Sequence, residues 1–290
     1  MVSKSINNIK LYNIKLNNII TSSNALLKLF CTLTIAIIIC ILIGNYVFKN
    51  GMLTCNNYVL NTYLYIILSI LLIFIVVLVN DQFGIFNSLL LWMIQGGIFR
   101  TIMTFIIILV ILFGLLIALT TVNPNNIVAS NTIWALLILV LGIFSIPTIW
   151  FGRLADVVGM ASILTILITI VVGYLGYYYG DQIVRFDWDI FLNYALIILI
   201  IILILGSVLI TDANSMQMFI LIISILFLII FVLLLLSNHK LLKQNSEKCI
   251  DGKVVPNYPV ESFGIFIKML NIFQELIRIM GMLKGRGRRR

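Results

Sequence analysis

Charge, proline and histidine are all scarce in this chain. Of its 290 residues only 10% are Asp, Glu, Lys or Arg, against 62% that are hydrophobic, so there is too little polar surface to coat a domain in water. Four prolines leave most of the backbone free to bond to itself, and in hydrocarbon only α-helices or a closed barrel achieve that. The apolar runs are long and unbroken, without the ten-residue alternation of a barrel. The expected fold is therefore all-α, a polytopic transmembrane helix bundle. With His239 as the sole histidine, a His-based triad or metal cluster has little to build from. No glycine-rich phosphate loop, Gly-x-Ser-x-Gly elbow or His-Glu-x-x-His helix is present. No enzymatic activity and no cofactor are expected.

Cysteine is nearly as sparse. Cys31 and Cys40 lie in an apolar run, Cys55 and Cys249 in connecting segments, and no two have metal-ligand spacing. No zinc site is expected and no disulfide is required, although a Cys55–Cys249 bridge stays open if both face an oxidising lumen.

What is present is a series of apolar segments, at about residues 25–48, 58–79, 85–121, 133–150, 157–179, 190–211, 216–237 and 262–283. Most approach the ~20 residues that cross a ~30 Å hydrocarbon core. The third is nearly twice too long and carries Arg100 in its middle, so residues 85–97 read as an interfacial or re-entrant piece and 101–121 as the span. Linkers are short and use Asn, Pro, Gly and Asp, which predicts antiparallel neighbours. The organisation is a basic cytosolic arm (1–24), a helical bundle (25–283) and a basic tail (284–290). The arm carries Lys4, Lys10 and Lys15 with no acidic residue; a mitochondrial presequence is the rival reading, weakened by the lack of Arg.

The formal charge of +9 is concentrated at the two ends and in the segment 239–253. It suits orientation in a membrane and contact with anionic headgroups better than a nucleic-acid surface, and no specific nucleic acid is expected. Lys284, Arg286, Arg288, Arg289 and Arg290 form a candidate anchor for anionic lipid or an acidic protein. Lys240, Lys243, Lys248 and Lys253 also favour the cytosol. Both groups cannot lie there if the last helix crosses once, which strengthens the alternative of a re-entrant or interfacial last segment.

That last segment differs from the others. Glu261, Lys268, Asn271, Gln274, Glu275 and Arg278 fall on one side of a helix, with Phe263, Ile265, Phe266, Leu270, Ile272 and Ile277 covering the rest. The reading adopted is that the stripe faces the centre of the bundle; the alternative is a helix lying flat with the stripe in water. Glu275 and Arg278 have the spacing of an i,i+3 pair. Lys268 would cost roughly 2.5–3.5 kcal/mol at mid-membrane if unpaired. Its candidate acids are Glu275, Asp81 and Asp156. Asn238 reads as a helix C-terminal cap and His239 as an exposed loop residue.

Residues 266–281 resemble the closing helix of the Bax-inhibitor family, also called Lifeguard or transmembrane BAX inhibitor motif proteins. Asn271, Phe273, Leu276, Arg278 and Gly281 match that family's pattern without a gap. Arg185-Phe186-Asp187-Trp188-Asp189-Ile190-Phe191 is similar to its basic-Asp-Phe-Ser link, and Gly142 with Pro147 resembles its third helix. The resemblance implies a seven-helix core from about Tyr58, with residues 25–48 as about one extra N-terminal span.

It also implies a role in calcium homeostasis or restraint of cell death at the endoplasmic reticulum or another internal membrane, with cell-death regulators as possible partners. The family's leak is attributed to two aspartates on the last two helices that share a proton and respond to pH through a basic latch. Here Lys268 and Asn238 occupy those two positions, so the mechanism does not carry over. The candidate polar core is Lys268, Asn238, Asn271, Glu275 and Arg278. Other readings stay open: a structural protein anchoring a scaffold or viral capsid, or a small transporter or organellar respiratory subunit. The matching locations are a virion membrane or the mitochondrial inner membrane. The abundance of Asn and Ile suggests an AT-rich genome, such as that of a protist or a large DNA virus.

Overall fold

The structure is a computed structural model that describes residues 24–49, 52–84, 86, 88, 95, 97–184 and 188–287. The basic arm before Asn24, most of the proposed interfacial piece at 85–97, the Arg185-Phe186-Asp187 link and Arg288, Arg289 and Arg290 lie outside the described residues.

Among those residues are eight long helices. They are α1 (Asn24–Val47), α2 (Tyr58–Phe83), α3 (Gly97–Thr121), α4 (Ile127–Leu154), α5 (Val158–Ile183), α6 (Trp188–Leu209), α7 (Ala213–Ile250) and α8 (Tyr258–Gly287). A two-residue antiparallel pair, β1 (Phe48–Lys49) with β2 (Met52–Leu53), turns the chain between α1 and α2. The first seven helices are each long and apolar enough to cross a membrane. The eighth is less apolar because it carries the polar stripe.

Local chemistry sets the helix ends. Asp212 caps α7 by accepting the Ser215 amide at 2.7 Å, and Asn126 caps α4 by accepting that of Ala129 at 3.3 Å, each satisfying an amide that has no partner inside the helix. At the end of α2, Gly84 takes φ 63° and its N–H bonds to the Asn80 carbonyl, a left-handed stop that costs glycine little.

Four contacts define the disulfide-bearing end of the bundle. Cys55, just ahead of α2, is bonded to Cys249, at the end of α7. The Tyr258 hydroxyl donates to the Thr54 carbonyl, the Tyr65 hydroxyl donates to Asn131 Oδ1 at 2.8 Å, and Lys240 Nζ donates to the Val184 carbonyl at 2.8 Å. At the other end Arg153 holds Asp81 at 2.7 Å and Lys284 holds Asp156 at 3.1 Å. The helices alternate between these ends, so the start of α1 and the finish of α8 lie together, opposite the disulfide. The bridge that the sequence left open is formed.

Two sequence expectations are corrected here and one alternative is set aside. The segment 239–250 is not a loop: α7 runs unbroken for 38 residues, or about 57 Å at ~1.5 Å per residue, and rises past the hydrocarbon core. Asn238 is therefore no C-terminal cap, because three further turns follow it. The last segment is neither re-entrant nor interfacial, since α8 is a 30-residue helix packed against α2, α4, α5 and α7. The charge conflict behind that expectation is reduced at the disulfide end. Asp181 lies 3.7 Å from both Lys240 and Lys243, and Asp251 lies 2.9 Å from Lys253, which offsets part of the basic charge there.

The core lies around α8. Ile265, Ile272 and Ile277 are fully buried, as are Leu137 and Ile138 of α4, Leu235 and Leu242 of α7 and Tyr65 of α2. Helices approach closely where glycine removes a side chain. A Cβ at Gly176 of α5 would sit 2.5 Å from the Leu236 carbonyl oxygen of α7, and one at Gly142 of α4 would sit 3.1 Å from Val76 of α2.

Candidate functional site

Because α8 occupies the centre, its stripe meets protein and not lipid, which is how a bilayer protein tolerates ionisable side chains. At the disulfide end, Asn245 Nδ2 donates to Glu261 Oε1 at 2.6 Å. One turn on, Gly264 leaves room for Asn238 of α7, whose Nδ2 would lie 3.2 Å from a Cβ there. Lys268 follows at i+4 on the same face. Further along, Gln274 Nε2 donates to Ser145 Oγ of α4 at 3.2 Å. The stripe ends with Arg278 Nη1, which donates to both Glu275 oxygens at 2.8 and 3.0 Å.

Lys268 is half-buried, and Asp189, in the first turn of α6, lies within its electrostatic reach. Asp189 in turn accepts the Ser237 hydroxyl of α7 at 2.9 Å. The acids expected from sequence are engaged elsewhere: Glu275 with Arg278, Asp81 with Arg153 and Asp156 with Lys284. The physical reason is length and direction. Glu275 sits two turns along α8 from Lys268, whereas α6 starts beside α7 at the depth of Ser237.

The other candidates distribute as follows. Asn271 is half-buried. Glu275 is buried, so the i,i+3 pair with Arg278 is a partly buried one. Lys284 is held by the Asp156 carboxylate and backbone carbonyl at the α4–α5 turn, which ties the start of the tail to the bundle. Arg286 belongs to the last turn of α8, and Arg288, Arg289 and Arg290 lie outside the described residues.

His239 is the largest departure from expectation. It is 1% exposed, because the continuing α7 presses it against α5 and α2. Its Nδ1 lies 2.8 Å from the Leu235 carbonyl and its Nε2 lies 2.7 Å from the Tyr63 hydroxyl. A carbonyl only accepts, so Nδ1 carries the proton, and in the neutral ring Nε2 accepts from Tyr63. The ring packs where Gly173 lacks a side chain, 3.0 Å from an ideal Cβ position. The signal for this burial was in the sequence, since His239, Leu242, Ser246 and Cys249 recur every three or four residues and all are buried.

A lateral cleft adjoins this histidine. Its inner chamber, about 320 Å³, is lined by Tyr63, Gly173, Tyr174, Tyr177, Tyr178 and His239. A wider outer chamber of about 900 Å³ shares Tyr63 and Tyr177 and reaches Asn56, Asn57 and Ser246 beside the disulfide. Among the described residues no group of three His, Cys, Asp or Glu side chains could hold a metal ion.

A central amphipathic helix, enclosed by apolar helices with lipid-facing outer surfaces, defines a multi-pass helical membrane protein. The family described as "Inhibitor of apoptosis-promoting Bax1" matches residues 55–285, and the chain belongs to this Bax-inhibitor family. The matched region begins just before α2 and ends within α8, so it comprises seven helices, and α1 is the additional one. No curated protein and no solved structure matches the chain.

Proposed function

We propose that this protein acts without catalysis in ion homeostasis or the restraint of cell death at an internal membrane, as a family member whose acidic leak site has been made electrically neutral. The observation that supports this reading is Lys268 on the central helix, at the position where the family resemblance places an aspartate, with Asp189 within electrostatic reach. Two carboxylates sharing one proton carry a net charge of about −1 and attract Ca²⁺. An ammonium beside one carboxylate and the Asn238 amide carries none. A charge 8 Å away contributes about 2 kcal/mol at an effective dielectric of ~20, and twice that for a divalent ion, so losing the net negative charge removes the attraction.

The test is Ca²⁺ flux from the full chain in proteoliposomes loaded with a calcium-sensitive dye. The wild-type chain should give little flux, and Lys268→Asp combined with Asn238→Asp should increase it. Equal flux from the two would defeat the neutralised-site reading.

Orientation supports the endoplasmic reticulum. A disulfide persists where the compartment is oxidising, so the Cys55–Cys249 end faces the lumen. The start of α1 and the basic tail then face the cytosol, in keeping with the positive-inside rule. In sealed microsomes, a membrane-impermeant thiol reagent should label Cys55 and Cys249 only after reduction and permeabilisation. Labelling of intact vesicles would reverse the orientation.

A second reading has its own support. The start of α1 and the end of α8, to which the two basic segments are joined, lie at the same end of the bundle, as an anchor for an acidic scaffold or capsid protein, or for anionic headgroups, requires. It is tested by removing residues 284–290. Binding to the acidic partner or to anionic vesicles should be lost, with calcium flux unchanged.

A further inference from the structure

The tyrosine-lined cleft between α2, α5 and α7 is not used by the central polar stripe. We propose that it binds the quaternary ammonium headgroup of a choline lipid drawn from the leaflet at the disulfide end.

Tyr174, Tyr177 and Tyr178 stand at i, i+3 and i+4 on one face of α5 and do not stack flat. The Tyr174 and Tyr178 rings have centroids 4.8 Å apart at 44°, and those of Tyr177 and Tyr178 are 5.2 Å apart at 74°. Ring faces at such angles form a corner. Tyr63, fixed by its 2.7 Å hydrogen bond to His239, closes the corner from α2.

Faces of aromatic rings carry negative potential and attract cations, and cages of this kind suit quaternary ammonium groups. Among the described residues no Asp, Glu, Lys or Arg lines the inner chamber. A metal ion or a primary ammonium needs charged or numerous oxygen ligands to replace its tightly held water. A trimethylammonium group has diffuse charge, donates no N–H hydrogen bond and loses little on leaving water, so this chamber discriminates in its favour.

The surroundings identify the ligand as a lipid rather than a free amine. Tyr178 lies five residues before the end of α5, about 7 Å below it, at headgroup depth, and Tyr174 and Tyr178 are exposed on their outer sides. The outer chamber presents Asn56, Asn57 and Ser246 to a phosphate or glycerol backbone. Tyrosine at a membrane interface is common, but a ring belt alone would require neither the angled corner nor the buried His239–Tyr63 pair behind it.

The experiment uses the full chain in a maltoside detergent, titrated with dihexanoylphosphatidylcholine, with its ethanolamine counterpart, and with choline chloride, and followed by thermal shift and thermophoresis. The choline lipid should bind at least about tenfold more tightly than either comparator. Tyr177→Leu combined with Tyr178→Leu should lose about tenfold, and Tyr177→Phe with Tyr178→Phe should retain binding. If the Leu pair does not fold, competition by tetramethylammonium decides in its place, with displacement of the lipid expected. Comparable binding of the ethanolamine lipid, no effect of a folded Leu pair, or no displacement would overturn the proposal. Choline chloride binding as tightly as the choline lipid would overturn the assignment to a lipid.

Discussion

Helices α6 and α8 are built to opposite specifications within one bundle. On α6, Ile198, Ile201 and Leu205 are more than half exposed and the helix packs chiefly against α7. Asp189, at its start, is its acid among the described residues. On α8, Ile265, Ile272 and Ile277 are buried, yet the same helix carries Glu261, Lys268, Glu275, Arg278 and Lys284. Lipid is the harsher solvent for a charge, so the apolar helix faces outward and the polar helix sits inside. In a membrane protein the amphipathic stripe marks the centre, whereas in a soluble bundle it would mark the surface.

Moving the lysine between the two helices should break this comparison most severely. Ile201→Lys places an ammonium on the lipid side of α6, and should cost roughly 2.5–3.5 kcal/mol of insertion free energy, measured by glycosylation mapping of α6. Lys268→Leu should leave insertion of α8 unchanged or improved. The next largest effect is expected from Glu275→Leu, which strands Arg278. The usual ~3–5 kcal/mol for breaking a buried pair falls to about 2 kcal/mol here, because the Arg278 side chain is 37% exposed. Denaturation of the detergent-solubilised chain measures it.

Packing gives a smaller contrast. Gly176→Ala would drive a methyl against the Leu236 carbonyl at 2.5 Å and should destabilise by about 1–2 kcal/mol. Gly114→Ala on α3, where nothing lies within 4 Å, should be neutral or stabilising by up to ~1 kcal/mol. The smallest effect belongs to the exposed N-cap of α7. The amides of Ser215 and Asn214 hold the Asp212 carboxyl below its usual range. Its stabilisation is present while it is ionised and is lost as pH falls through that lowered value, below about pH 4. Faster hydrogen exchange at Ser215 in acid, abolished in Asp212→Ala, is the expected sign.

Much of this arrangement was legible in the sequence. Hydropathy located the spans because lipid contact imposes it on every outward face. The stripe of α8, and the alignment of Asn271, Phe273, Leu276, Arg278 and Gly281 with the family pattern, located the central helix. Helix continuation past Ser237 was not legible from charge, because Lys240 and Lys243 read as loop residues until Asp181 is seen to offset them. The partner of Lys268 was hidden for a related reason. Asp189 is far from it in sequence, and only the packing of α6 on α7 brings the two within reach. The cleft was half visible in the spacing of Tyr174, Tyr177 and Tyr178, but its depth depends on Gly173 and His239, and no local pattern announces that contact.

The Cys55–Cys249 bond joins positions 194 residues apart and so closes a covalent circuit through α2 to α7. The helix at the geometric centre is the one segment of the family core left outside that circuit. During biogenesis the perimeter can be sealed before the middle is filled. The helix that follows α7, too polar to insert as readily as its predecessors, can then wait at the membrane surface until a finished socket exists to receive it.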